Sequence, residues 1–137
     1  MAKIVRFHEV GGPKVLRIEA ETPKQPDKDE VRLKVQAVGL NRAESMFIRG
    51  PYVEPPKFPA GVVYEAAGVV EAVGPDVDKN WVGKRVAIIP AFSMNNYAML
   101  GEEVIAPAAA LGEYPGRQQK TSGGLSVVAH AVLCLGI

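Results

Sequence analysis

The chain has 137 residues, enough for one domain with its own hydrophobic core. Lys and Arg number 16 against 15 Asp and Glu, and this balance excludes a polybasic nucleic-acid arm or an acidic tail as the main business. A single cysteine excludes a disulfide framework and a cysteine zinc finger.

In chain order, Lys3 to Phe7 mixes β-branched and aromatic residues and predicts a strand. Gly11-Gly12-Pro13 is a turn, and Val15 to Glu19 predicts a second strand. Thr22 to Asp29 carries prolines and charges and predicts a surface loop. Val31, Leu33, Val35 and Ala37 alternate with polar residues, so a strand here puts its apolar side chains on one face. Asn41 with Glu44 three residues on predicts a capping box opening a helix over about Arg42 to Arg49, stopped by Gly50. Pro51 to Pro59 predicts an irregular loop. Val62 to Val73 predicts a strand, bulged or bent at Gly68, and Gly74-Pro75-Asp76 a turn. Asp76 to Trp81 predicts an exposed turn. Lys84 to Ile89 and Glu103 to Ala106 predict two further strands. Many short strands with one helix predict a mainly β fold, a small barrel or sandwich.

The most apolar stretch, Leu125 to Ile137, is too short to span a bilayer and is interrupted by Ser126 and His130. Lys3 and Arg6 come too early for a signal peptide, so the expected location is the cytoplasm. No Gly-x-Gly-x-x-Gly run opens a helix, so no dinucleotide-phosphate cradle is visible. Neither nucleic acid nor membrane is an expected partner.

Four motifs occur in one order: Val38-Gly39-Leu40-Asn41-Arg42-Ala43-Glu44, Arg49-Gly50-Pro51-Tyr52, Tyr64 through Gly74, and Val82-Gly83-Lys84-Arg85-Val86. Together they resemble the N-terminal, GroES-like catalytic domain of medium-chain dehydrogenases/reductases, in the zinc-independent quinone oxidoreductase and alcohol dehydrogenase-like branch. The resemblance covers about Ala2 to Leu111. It implies a GroES-like irregular β barrel with one or two short helices. It also implies NADP- or NAD-dependent hydride transfer to a quinone, enone or carbonyl in a cleft shared with a separate Rossmann domain.

In the family's zinc-dependent branch a Cys stands at the position of Asn41 and a His at that of Tyr64, followed by a Glu matching Glu65. An amide and a phenol do not replace a thiolate and an imidazole, and one carboxylate does not hold zinc. Ala43 stands where that branch has a proton-relaying hydroxyl, and Ser93 to Tyr97 stands in place of a structural-zinc lobe. The expectation is no metal. The resemblance makes Asn41, Tyr64 and Glu65 the candidate catalytic residues, with Tyr52 and Phe92 at the substrate. Plainer roles stand beside these: Asn41 as the helix cap, Tyr52 in loop packing, Tyr64 as a satisfied buried phenol, Glu65 as a backbone tie, Phe92 in the core. His8 and His130 have no partner cluster, and Cys134 reads as a small buried hydrophobe.

No residues are left over for a Rossmann domain, so the chain is expected to bind the cofactor weakly and to be inactive or nearly so alone. Residues 112–137 form an atypical tail. Gly116 to Thr121 is basic and polar, where relatives carry an acidic, Ala-rich helix. The codons for His130 to Ile137, shifted by one nucleotide, permit Met-Gln-Phe-Ser-Ala-Trp-Gly, so the tail reads as a frameshifted or truncated linker helix. Its apolar residues favour packing on the barrel or on a second copy, which makes a homodimer the expected partner. Two other readings stay open: a stand-alone binding or regulatory module without redox activity, and a co-chaperonin-like ring subunit.

Overall fold

The computed structural model describes residues 1–89 and 92–113. Strands β1 (Ala2–Phe7), β2 (Arg17–Glu21) and β4 (Ala60–Gly61) form one antiparallel sheet in the order β2-β1-β4. Strands β3 (Glu30–Val38), β5 (Ala66–Val73), β6 (Arg85–Ile88), β7 (Glu103–Pro107) and β8 (Leu111–Glu113) form a second, in the order β7-β3-β5-β6-β8. The described residues are mainly β with one α-helix, α1 (Arg42–Arg49), and their two sheets stay open. They are stitched by an Ile4–Gly101 bridge and by the Val5 amide donating to Leu100 at 2.9 Å.

The period-two pattern of β3 gives its expected face: Val31 and Leu33 are fully buried while Lys34 is exposed. Each fully buried aliphatic chain of this kind stabilises the fold by roughly 1.5–3 kcal/mol. Phe7 of β1 and Phe47 of α1 meet edge-to-face with centroids 5.7 Å apart, which docks the helix on the first sheet. The helix buries Glu44, Phe47 and Ile48, the three- and four-residue spacing of a single face. It ends where the Gly50 amide donates to Met46 and Phe47 at 3.1 and 3.2 Å.

Four local expectations are revised. Residues Pro13–Val15 wind into a 3-10 turn, so β2 starts later than Val15. Val62 to Glu65 leaves the ladder because Val63 takes a left-handed φ of 74°, a conformation rare for a β-branched residue. The register shifts fall at Gln36 of β3 and Glu71 of β5; the first borders the Val35–Gly68 pair, so the irregularity expected at Gly68 falls on the facing strand. A Cβ at Gly68 would stand 2.0 Å from the Lys34 carbonyl oxygen, so this glycine marks a close approach of two backbones. Trp81 packs against the core and lies under the Lys84 ammonium, 5.3 Å from the ring centroid.

The short strands β4 and β8 carry no sequence signal of their own. Of the atypical tail, Gly112 and Glu113 lie in β8, while the basic stretch, His130 and Cys134 fall outside the described residues.

Candidate active site

The β3–β5 register builds the first half of the site. It pairs Val38 with Ala66, so the segment leaving β3 and the segment entering β5 emerge side by side. The Gly39 amide then donates to the Glu65 carbonyl at 2.9 Å. Two residues on, the Asn41 side-chain amide donates to Glu65 Oε2 at 2.9 Å. The Glu65 carboxylate lies across Gly39, where a Cβ would meet its Cδ and Oε2 at 2.8 Å. Any side chain at position 39 therefore collides with the group that fixes Asn41.

Asn41 also caps α1. Its backbone N–H donates to Glu44 Oε2 at 2.5 Å, closing the capping box. Asn41 thus lies between two buried carboxyl groups, Glu44 at 6% exposure and Glu65 at 8%. Neither pairs with a cation among the described residues. Glu44 Oε1 is buried without a hydrogen-bond partner. Burial raises the Glu44 pKa above the ordinary carboxylate value, and the neighbouring Glu65 charge adds to the rise.

The second half is a cleft of about 40 Å³ lined by Tyr52, Tyr64, Phe92, Phe47, Glu54 and Met94, together with Ser93. Tyr64 reaches it directly after the left-handed Val63, whose carbonyl is held by the Met99 amide at 2.8 Å. A left-handed non-glycine residue costs about 1–3 kcal/mol and persists where its surroundings over-determine it. Burial raises the Tyr64 pKa, and the nearby Tyr52 and Glu44 raise it further, Tyr52 also through a side-chain hydrogen bond. Tyr64 is therefore held as a protonated phenol, a hydrogen-bond donor rather than a base. Phe92 packs edge-to-face on Tyr97 with centroids 5.4 Å apart.

The five sequence candidates thus fall in two neighbouring groups. Asn41 and Glu65 are bonded to each other; Tyr52, Tyr64 and Phe92 line the cleft, which neither Asn41 nor Glu65 touches. Sequence reasoning saw Glu44 only as a cap and did not find Glu54 or Ser93. The capping-box spacing placed Glu44 on the helix, but its burial depends on the docking of α1. His8, expected to lack a partner cluster, pairs with one carboxylate, Glu19.

Among the described residues no three His, Cys, Asp or Glu side chains converge to hold a metal ion. The donor set at the position compared above is an amide, a phenol and a carboxylate already engaged by Asn41, which does not fit zinc. No helix among the described residues is long and apolar enough to cross a membrane.

Fold and site together define a GroES-like β domain with polar donors beside an aromatic cleft. The chain belongs to the alcohol dehydrogenase GroES-like domain family, which matches residues 27–134, and within the medium-chain dehydrogenases/reductases it falls in the quinone oxidoreductase-like branch. A quinone oxidoreductase of Salmonella typhimurium is 42% identical over 86 residues, covering 63% of this chain and 26% of the relative. Quinone oxidoreductase 1 of Escherichia coli is 34% identical over 113 residues, covering 80% of this chain and 34% of the relative. A crystal structure of Escherichia coli quinone oxidoreductase complexed with NADPH superposes with a TM-score of 0.71 at 32% identity, covering 82% of this chain and 33% of that one. The chain spans about a quarter to a third of the length of these relatives.

Proposed function

We propose that this chain supplies the substrate side of an NAD(P)H-dependent reductase of quinones, enones or related carbonyls. The observation that carries the reading is that Glu65, which orients the Asn41 amide, directly follows Tyr64, a protonated phenol lining an aromatic cleft. When a carbonyl is reduced, negative charge develops on its oxygen. Fixed donors aimed at that oxygen stabilise the charge without having to reorganise. Glu65 takes one Asn41 amide hydrogen and leaves the second for the acceptor oxygen. Tyr64, steadied by Tyr52, offers its hydroxyl proton to the same oxygen, and Phe92 and Phe47 give the acceptor ring an apolar wall.

The described residues do not fit a dinucleotide: they hold no glycine-rich turn at a helix N-terminus, and α1 opens on Asn41. The nicotinamide would supply hydride, and in this reading it is presented from outside residues 1–113. A cleft of about 40 Å³ has room for little more than a water, whereas ligand pockets typically measure 300–1,000 Å³, so it acts as one wall of a larger site. The domain assignment is residues 1–111 as the catalytic-type domain and 112–137 as an atypical linker. The chain alone binds NADP or NAD weakly and is inactive or nearly so. No metal takes part, the expected location is the cytoplasm, and any homodimer arises through the tail.

Titration of the purified chain with NADPH while following melting temperature tests this reading, because a ligand of the folded state must stabilise it. The expected result is no shift at micromolar NADPH and no quinone-dependent NADPH oxidation. Micromolar binding with steady quinone turnover would overturn the half-site reading and show a self-sufficient enzyme.

A further inference from the structure

The loop between Gly50 and β4 is tied across the cleft at several points. Glu54 accepts a hydrogen bond from the Ser93 hydroxyl, and the Ser93 oxygen accepts from the Asn95 amide at 3.0 Å. The Asn95 side chain accepts from the Lys57 amide at 2.8 Å and donates to the Pro55 carbonyl at 3.0 Å. Pro55 and Lys57 belong to the loop that also carries Tyr52 and Glu54, so these bonds hold that loop against Asn95.

Glu54 is the one charged residue among those lining this cleft; the rest are aromatic, thioether or hydroxyl groups. It forms no salt bridge among the described residues. We propose that Glu54, held at the rim by Ser93, is a specificity-determining residue that admits uncharged carbonyl acceptors and turns away anionic ones. The proposal rests on the cleft being the acceptor's wall. The Ser93 hydrogen bond, with help from Asn95 and Lys57, lowers the Glu54 pKa, so the charge persists at neutral pH. A carboxylate or sulfonate brought beside it meets like charge at short range, while a neutral ring meets only the apolar wall.

Two ketones of similar shape separate charge from fit: acetophenone and 4-acetylbenzoate. The whole chain is titrated with each at low ionic strength, and the Tyr52 and Tyr64 ring signals are followed by NMR. In the parent chain acetophenone, at the millimolar concentrations that one wall of a larger site requires, perturbs both rings at lower concentration than 4-acetylbenzoate. In Glu54→Gln, where the amide oxygen still accepts from Ser93, the ratio of the two affinities falls about five-fold. In Ser93→Ala, which cuts the tie but keeps the carboxylate, the ratio falls towards one, by no more than in Glu54→Gln.

Equal affinities in the parent chain, or an unchanged ratio in Glu54→Gln, overturn the role of Glu54 and leave the cleft reading standing. An unchanged ratio in Ser93→Ala overturns the holding role of Ser93 and leaves that of Glu54 standing. If neither ketone moves either ring, the cleft reading falls and this proposal falls with it.

Discussion

Asn41 does three things with one short side chain and its backbone: it caps α1, closes a box with Glu44 and binds Glu65. The cost of this economy is two buried carboxyl groups near each other, neither paired with a cation among the described residues. Glu44 has a raised pKa in the folded chain, so folding favours its protonated form. Its contribution to stability is complete below the ordinary carboxylate value of 4.5 and is lost as pH rises from there through the folded value. Glu44→Gln keeps an acceptor for the Asn41 amide and removes the titration. Urea unfolding from pH 4.5 to neutrality is expected to show the parent chain losing stability relative to this variant. Parallel curves would rule out the burial penalty on Glu44. Gly39→Ala drives a methyl into the Glu65 carboxylate and is expected to cost about 1–3 kcal/mol in the same assay. The accompanying shift of the Asn41 side-chain amide signals by NMR reports that the carboxylate has moved.

The elements that carry the site are short, and single contacts hold them in place. The segment after the cleft is fastened to β3 by Tyr97, whose hydroxyl donates to Glu30 Oε1 at 2.8 Å. Burial, and then this bond, push the Tyr97 pKa up to about 12. The neutral phenol is the folded form, so its stabilisation is full below the ordinary value of 10 and disappears as pH climbs from 10 to about 12. Alkaline absorbance titration is expected to show one tyrosine ionising last, and Tyr97→Phe to remove that late step. The same variant should lose about 1 kcal/mol at neutral pH, the ordinary worth of a hydrogen bond, and more if Glu30 is left poorly solvated. Gly68 offers a sharper test of the β3–β5 ladder. Gly68→Ala sets a methyl against the Lys34 carbonyl, and thermal melting should drop by several degrees, as a core steric insertion of about 1–3 kcal/mol requires.

For the whole molecule, the donors at the site decide which chemistry it supports. An amide, a phenol and an engaged carboxylate are hydrogen-bonding groups, so micromolar zinc and a chelator are each expected to leave the melting temperature unchanged. A zinc-dependent rise of several degrees would require ligands other than Asn41, Tyr64 and Glu65. The mainly β class, α1 with its capping box and the strand at β3 were legible from the chain because each rests on local physics: period-two alternation, a cap spacing and a glycine stop. The path of Val62 to Glu65 was not legible. Its valines favour an extended strand, whereas in the fold Val63 is left-handed and the Met99 and Leu100 amides donate to the Val63 and Val62 carbonyls. Trp81 was misplaced for a similar reason, since a turn rich in charges gives no sign that its one large ring folds inward.

The order of four motifs was enough to indicate the family and the residue types that stand in for metal ligands, because identity and spacing are properties of the chain itself. The bond from Asn41 to Glu65, the burial of Glu44 and the meeting of Tyr52, Tyr64, Glu54 and Ser93 around one cleft were decided by the tertiary structure. These groups lie far apart along the backbone, and strand register, helix docking and a tied loop bring them together. Those long-range choices also set solvent exposure, and with it the raised pKa values of Glu44 and Tyr64.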